Sequence, residues 1–269
     1  METTLLTTGL GALIGLALAL TGAGGGILAM PLLILALHLT VVQAAPIALL
    51  AVGLSAALGG LIALREKRLR YRAAGLVSII GVVTAPLGTW AAQQIPVVPL
   101  TLIFSLVLTY VALRMIREAA SMGLQVPAHR KLPCVLNPEE GRLNWTARCA
   151  RALMLTGGVS GFLSGSLGVG GGFVIVPALA RYTNLSLQSV VGTSLGVIAL
   201  VSAGTVATAA AAGLMLWPVA IPFALGSSVG MLLGSRLAGR LPPSRLKQAF
   251  GVMILLAAGV MVMRTVSAA

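Results

Sequence analysis

Aspartate is absent from this chain, and its five glutamates (Glu2, Glu66, Glu118, Glu139 and Glu140) all fall in tails or loops. Its two histidines, His38 and His129, stand at a segment end and in the polar middle of the chain. Cation carriers and proton relays place carboxylates or imidazoles within the bilayer. Their lack excludes a metal-ion pathway and leaves an anion or a neutral solute; no metal and no cofactor is expected. Charge as a whole is scarce, 9% of 269 residues, where a soluble domain carries about 25%. No Lys or Arg precedes Arg65. The apolar start METTLLTTGLGALIGLALAL therefore lacks the basic region of a signal peptide and reads as a retained first membrane helix. Only two cysteines occur, Cys134 and Cys149, in the polar middle segment and with no His/Cys cluster beside them. They read as ordinary free thiols, with a disulfide or a metal pair as alternatives that the compartment decides.

What the chain does have is apolar length. Hydrophobic residues make up 58% of it and the mean hydropathy is +1.04. Continuous apolar runs cover 4–21, 25–38, 44–64, 74–94 and 98–115, then 151–167, 171–182, 188–211, 216–238 and 247–265. Runs of this kind, continuous rather than alternating, exclude a β-barrel and predict an all-α polytopic membrane protein of eight to ten membrane segments. The runs at 25–38 and 171–182 hold 14 and 12 residues. At 1.5 Å per residue each reaches only about 20 Å of a core about 30 Å thick, so they are half-helices.

Each half-helix follows a glycine cluster. The stretch TGAGGGILAMP (21–31) returns as LGVGGGFVIVP (167–177), and Gly88, Pro96 and Phe104 return as Gly234, Pro242 and Phe250. The chain reads as a duplication: a first repeat at 1–116, a polar cytoplasmic linker at 117–149 and a second repeat at 150–269. Basic residues orient it. The first half has a basic loop at 65–72 and a neutral one at 93–97. The second half reverses this, with a neutral loop near 212–215 and Arg236, Arg240, Arg245 and Lys247 around the next. Opposite bias at equivalent loops is the signature of an inverted repeat, each half carrying a glycine-broken helix plus three spanning helices. If each broken segment returns to its starting side, by re-entry or by two crossings, all basic regions are cytoplasmic and both termini periplasmic. The formal charge of +13 is then explained by topology, and nucleic acid is not expected as a partner.

A glycine break leaves unpaired amides at the start of the following helix, and successive amides form an anion-binding nest reinforced by the helix dipole. Packing is the competing use of glycine in membranes, and Gly226, Gly230 and Gly234 are assigned to it. The paired GxGGG loops are assigned to an anion instead. The paired GxGGG…P segments, the Thr193-Ser194-Leu195 triplet, the polar linker and the length together resemble the sulfite exporter TauE/SafE family, the 4-toluene sulfonate uptake permease group. The resemblance implies a multi-pass transporter of the bacterial inner membrane, an exporter and not an enzyme. It would handle a small sulfur-containing oxyanion or organosulfonate. Carried over by position, the substrate-binding residues are Gly22, Gly24, Gly25 and Gly26, Gly168, Gly170, Gly171 and Gly172, with Thr193 and Ser194 as hydroxyl donors. Pro31 and Pro177 follow the loops, and Thr21, Ser164 and Ser166 flank them. Gln43 and Gln188 serve either as interfacial caps or as substrate contacts, and the hydroxyls of Thr193 and Ser194 bond either a ligand or their own helix. The first half has Ala48-Leu49-Leu50 where the triplet would recur, so hydroxyl recognition is one-sided there. The expected partners are a small anion and the lipid bilayer, with a homodimer as the assembly. A passive anion channel of the same fold is the alternative.

Overall fold

The structure is a computed structural model describing residues 2–21, 26–37, 39–120, 133–134, 136–137, 142–143, 146–237 and 243–267. Gly22, Gly24 and Gly25, and most of the linker, lie outside the described residues. The described residues form ten α-helices: α1 (Glu2–Thr21), α2 (Ala29–Leu37), α3 (Val41–Arg65), α4 (Tyr71–Gln94), α5 (Val97–Ala120), α6 (Ala147–Leu167), α7 (Gly172–Tyr182), α8 (Leu187–Ala211), α9 (Trp217–Leu237) and α10 (Pro243–Ser267). The only strands among them are β1 (Leu136–Asn137) and β2 (Arg142–Leu143), an antiparallel ribbon inside the linker. Six of the helices are long and apolar enough to cross a membrane. The protein is an all-α polytopic membrane protein.

Helix starts follow local chemistry. Thr40 and Gln43 form a reciprocal capping box at α3, which gives Gln43 to capping. Thr146 caps α6 and Ser186 caps α8 through the amides of Cys149 and Ser189. Gln188 is exposed in the first turn of α8.

The second half repeats the first at a constant offset: α8 begins and ends 146 residues after α3 (41 to 187, 65 to 211). Small residues set how the helices pair. On α1, Thr8, Ala12 and Leu16 face Gly226, Gly230 and Gly234 of α9, so these two run parallel. On α4, Val77, Gly81 and Ala85 face Gly157, Gly161 and Gly165 of α6, again parallel. A Cβ on Gly230 or Gly165 would collide with the carbonyl oxygen of Ala12 or Ala85, which is why these backbones approach so closely. Thr89 adds a hydroxyl bond to the Gly165 carbonyl across the same seam.

The equivalent helices α3 and α8 pack centrally and run antiparallel, Gly53 against Ser202, Gly60 against Gly196 and Ala63 against Gly192. Equivalent elements running in opposite senses make the repeats inverted. α3 and α8 are also the most buried of the six spanning helices, while Leu106, Leu225 and Leu256 point outward from the periphery. Those outer leucines suit lipid, and the interior satisfies its own backbone through helices.

The pairing gathers one kind of loop on each face. The α3–α4 turn meets the start of α8, where the Arg70 amide donates to Thr193 Oγ1 at 3.1 Å. The end of α7 meets the linker, where the Cys134 amide donates to the Tyr182 carbonyl at 3.1 Å. α9 runs parallel to α3 (Ser227 beside Ser55, Met231 beside Gly59), so its end, with Arg236, lies on the same face. This basic face opposes one carrying Gln93, Gln94 and the neutral turn at 212–215.

The free-thiol reading of the cysteines is corrected. Cys134 and Cys149 are joined in a disulfide, with Cα atoms 4.9 Å apart. Thr146 donates back to the Pro133 carbonyl and Cys134 bridges Thr183, so residues 133–134 sit against the mouth of the α6–α7 hairpin and the two sulfurs come together. This is a tertiary effect that spacing alone does not reveal.

Candidate functional site

α6 descends from the basic face nearly through the bundle and ends at Gly168, whose left-handed φ of 66° turns the chain. Gly170 and Gly171 are left-handed as well, at 73° and 65°, a run that L side chains adopt only with strain. The chain then doubles back. Gly171 comes against Ser160, two turns above the end of α6, and α7 climbs to the basic face again. The α6–α7 unit is therefore a hairpin whose glycine loop lies deep in the protein.

The two loops meet. Gly26 approaches the Val169 carbonyl, and the Val52 side chain from the middle of α3 touches the positions of both Gly26 and Gly170. Of the expected first-half loop residues only Gly26 is described; it is buried, and a single turn of tighter helix over 26–28 leads into α2, which carries buried Pro31. In α7 the first helical bonds are donated by Val174 and Ile175 to the Gly171 carbonyl. The amides before them have no carbonyl one turn back, and Gly171 supplies no side-chain cap. The positive end of the α7 dipole thus faces the centre of the protein.

Two serine hydroxyls beside this loop have no hydrogen-bond partner, Ser160 and Ser202, each 0% exposed; Ser164, one turn before the end of α6, and Ser78 on α4 are buried and unpartnered as well. Ser160 Oγ is 2.6 Å from where a Gly171 Cβ would stand, and Ser202 Oγ is 3.9 Å from the Gly170 equivalent. A buried hydroxyl left unpaired costs about 1–3 kcal/mol. Two beside one loop constitute an unmet demand for an acceptor, and an oxyanion supplies acceptors only. In the mirrored positions of Ser160, Ser164 and Ser202 stand Ile14, Leu18 and Ala56, all fully buried. Among the described residues, the unpartnered hydroxyls of the centre come from the second repeat.

Other expected residues are placed elsewhere. Thr193 is fully buried but accepts from the Arg70 amide, and Ser194 donates to Val191 of its own helix at 2.8 Å. They lie about one to two turns toward the basic face from Ile198, the α8 residue beside Gly170. Ser194 thus bonds within its own helix, while Thr193 accepts from the α3–α4 turn and keeps its own proton to donate. Thr21 and Ser166 likewise donate to their own helices, at Ala17 and Phe162. Sequence reasoning passed over Ser160 and Ser202. Their only prior signal was that Ser160 and Ser164 share one face of α6, four residues apart.

A cavity of about 330 Å³ runs from this centre, at Gly172, Ile27 and Thr21, past Phe173, Val176 and Pro177 to Arg114, Arg181 and Tyr182 near the basic face. Toward the opposite face a space of only about 30 Å³ remains among Ala45, Pro46, Thr89, Gln93 and Ser166. One wide and one narrow approach to a central pair of broken helices is the architecture of an inverted-repeat membrane transporter.

The family follows from comparison. The chain matches the model of the family described as Sulfite exporter TauE/SafE over residues 7–261, and it belongs to that family. It is 33% identical over 261 residues to a protein of Xylella fastidiosa (strain Temecula1 / ATCC 700964) named "Probable membrane transporter protein", covering 95% of this chain and 93% of the relative. A protein of the same name from Xylella fastidiosa (strain 9a5c) is 32% identical over 259 residues, with the same coverage. No solved structure matches the chain.

Proposed function

We propose that the protein is a secondary exporter of a small sulfur-containing oxyanion or organosulfonate across the bacterial inner membrane. The observation that carries this reading is the loop at 168–172, where an uncapped helix start and two unpartnered hydroxyls converge at the centre of two inverted halves. Amides of the loop, with Ser160 and Ser202, hold the anion. The basic face is cytoplasmic by the distribution of Lys and Arg, and its positive potential draws anions to the wide cavity. Rocking one repeat against the other then closes that cavity and opens the narrow side. The narrowness of the far approach favours a carrier over a passive channel. The family description supports the sulfur oxyanion.

The test is flux in proteoliposomes with sulfite, sulfate, thiosulfate, taurine, sulfoacetate and lactate. A carrier gives saturable flux and counterflow for a sulfur anion. Linear flux without counterflow would make it a channel, and no flux of any of these anions would end the reading.

A further inference from the structure

The open end of the α6–α7 hairpin is tied through the linker. Cys149, in the first turn of α6, is joined to Cys134 by the disulfide. Cys134 in turn lies on the end of α7. Its amide donates to the Tyr182 carbonyl at 3.1 Å, and it forms a bridge with Thr183, the residue that ends the helix. The start of one limb and the end of the other are thus connected through one residue. α7 also lines the wide cavity from Gly172 to Tyr182, and at the mouth it is joined by Tyr110 and Arg114 of α5. What fixes the end of α7 fixes that mouth.

The two limbs are held very differently by the rest of the protein. α6 is locked to α4, where a Cβ on Gly161 or Gly165 would strike the carbonyl of Gly81 or Ala85. α7 has no such seam and buries only Gly172, Ile175 and Leu179. It joins α6 through left-handed glycines, which turn without side-chain hindrance. α7 is therefore the limb that can swing, and the tie acts on its far end. The fold does not need that tie. At the mirrored positions, 146 residues earlier, Thr3 stands for Cys149 and Leu37 for Thr183, and the first repeat contains no cysteine.

We infer that Cys134 and Cys149 form a reversible thiol–disulfide site that governs the swing of α7, and through it the rate of transport. Oxidised, the pair holds the cavity open to the basic face, as in this structure. Reduced, it releases α7 to close the mouth. With the basic face in the cytoplasm, the pair lies where thiols are kept reduced and where disulfides are transient or redox-sensing. The reductant is a dithiol. Its thiolate attacks one cysteine sulfur, the S–S bond breaks, and its second thiol displaces the mixed disulfide that forms. Two electrons and two protons pass to the cysteines, and the dithiol leaves as a disulfide. Both sulfurs belong to fully buried residues, so exchange requires Cys134 to lift from the hairpin, the movement that also frees Tyr182. The inference rests on the transport reading for its consequence, though not for the hold on α7.

The probe anions are sulfoacetate and sulfate, because sulfite itself cleaves disulfides. The full chain is reconstituted in liposomes after oxidation with diamide or reduction with dithiothreitol, and intact mass after alkylation reads its state. Reduced protein should move the anion about tenfold or more faster than oxidised protein. Affinity, titrated calorimetrically in detergent, should stay within about twofold, since the central loop is the same in both. Hydrogen exchange at the Thr183 and Leu185 amides should quicken about tenfold or more on reduction. Cys149→Ser should match the reduced protein and ignore the oxidant. The wild-type comparison needs no substitution, so it decides the matter even where that variant fails to fold. Equal rates in the two states of a transporting protein overturn the inference and leave the transport reading standing. Equal exchange at the end of α7 overturns it as well, and the disulfide then tethers the linker alone. Redox-dependent exchange in a protein that moves no anion in either state would refute the transport reading and leave the hold on α7 in place.

Discussion

Replacing Ser160 by alanine separates a ligand hydroxyl from a structural one by the sign of two effects. Ser160 is fully buried, and its Oγ bonds nothing in the ligand-free protein. A structural serine loses a bond on truncation and the protein is destabilised. An unpaired serine loses only a desolvation penalty of about 1–3 kcal/mol, offset in part by the small void left by one oxygen. Ser160→Ala should therefore raise the stability of the ligand-free protein by about 1 kcal/mol, and Ser202→Ala should act alike. Sulfite affinity should fall in the same variants. A hydroxyl bond to a charged acceptor contributes about 1.5–3 kcal/mol, equivalent to roughly a 12- to 150-fold change in Kd. The assay is thermal unfolding in detergent with and without sulfite, which gives both quantities from one series. Without anion the variant should unfold later than wild type; with saturating anion the order should converge or reverse. A Ser160→Ala protein that is less stable than wild type and binds sulfite equally well would refute the reasoning.

The other expectations concern the loop, the helix seams, the linker and the membrane orientation. Gly171→Val should abolish flux, because φ is 65° there and the added carbon meets Ser160; sulfite binding to folded variant protein checks it. Gly230→Val should instead lower expression and thermal stability, since its Cβ strikes the Ala12 carbonyl at the α1–α9 seam and no ligand is near. Reporter fusions at the C-terminus should place it in the periplasm, and a cytoplasmic C-terminus would remove the support for a cytoplasmic basic face. The disulfide gives an independent check, because stable disulfides belong to oxidising compartments. If the linker is cytoplasmic, Cys134 and Cys149 should be alkylated in growing cells and form their bond only on oxidation; full oxidation in untreated cells would put the linker outside.

Periodicity and breaks were legible because they are local. Apolar runs 44–64 and 188–211 became α3 (41–65) and α8 (187–211), and the second glycine cluster became the turn of a hairpin with left-handed residues at 168, 170 and 171. The caps extend helices beyond the apolar runs, which is why Val41 and Val42 belong to α3 through Thr40 and Gln43. What could not be read is who satisfies whom. Ser194 looked like a donor and is occupied by Val191, and Thr193 accepts from the Arg70 amide, whereas Ser160 and Ser202 looked ordinary and have no partner. Hydroxyl satisfaction is decided by the neighbouring helix, and no spacing within one helix reports it. The cysteine pair failed for the same reason.

The duplication helps to decide which polar residues serve a ligand. A residue the fold requires should recur in both copies, because both copies solve the same packing problem. Part of the seams obeys this: Gly11 against Phe223 mirrors Gly157 against Val77, and Gly15 against Ser227 mirrors Gly161 against Gly81, whereas Gly226, Gly230 and Gly165 have Ile80, Thr84 and Ala19 in their places. Ser160, Ser164, Ser202, Arg114 and Arg181 disobey it, with Ile14, Leu18, Ala56, Val260 and Leu35 in their places. Asymmetry is not sufficient by itself. Ser55 and Ser227 also lack polar mirrors at Val201 and Gly81, yet they bond each other at 2.9 Å, and Ser227 also reaches the Ala51 carbonyl. That pair is a satisfied link between α3 and α9. The serines around the loop are asymmetric and unsatisfied together, and so is Ser78 on α4 with Ala224 as its mirror; what sets Ser160 and Ser202 apart is their position beside the glycine loop. On the proposed reading, the described part of the site lies mainly in the second repeat. The first contributes Gly26 and Val52 as the surface against which it closes.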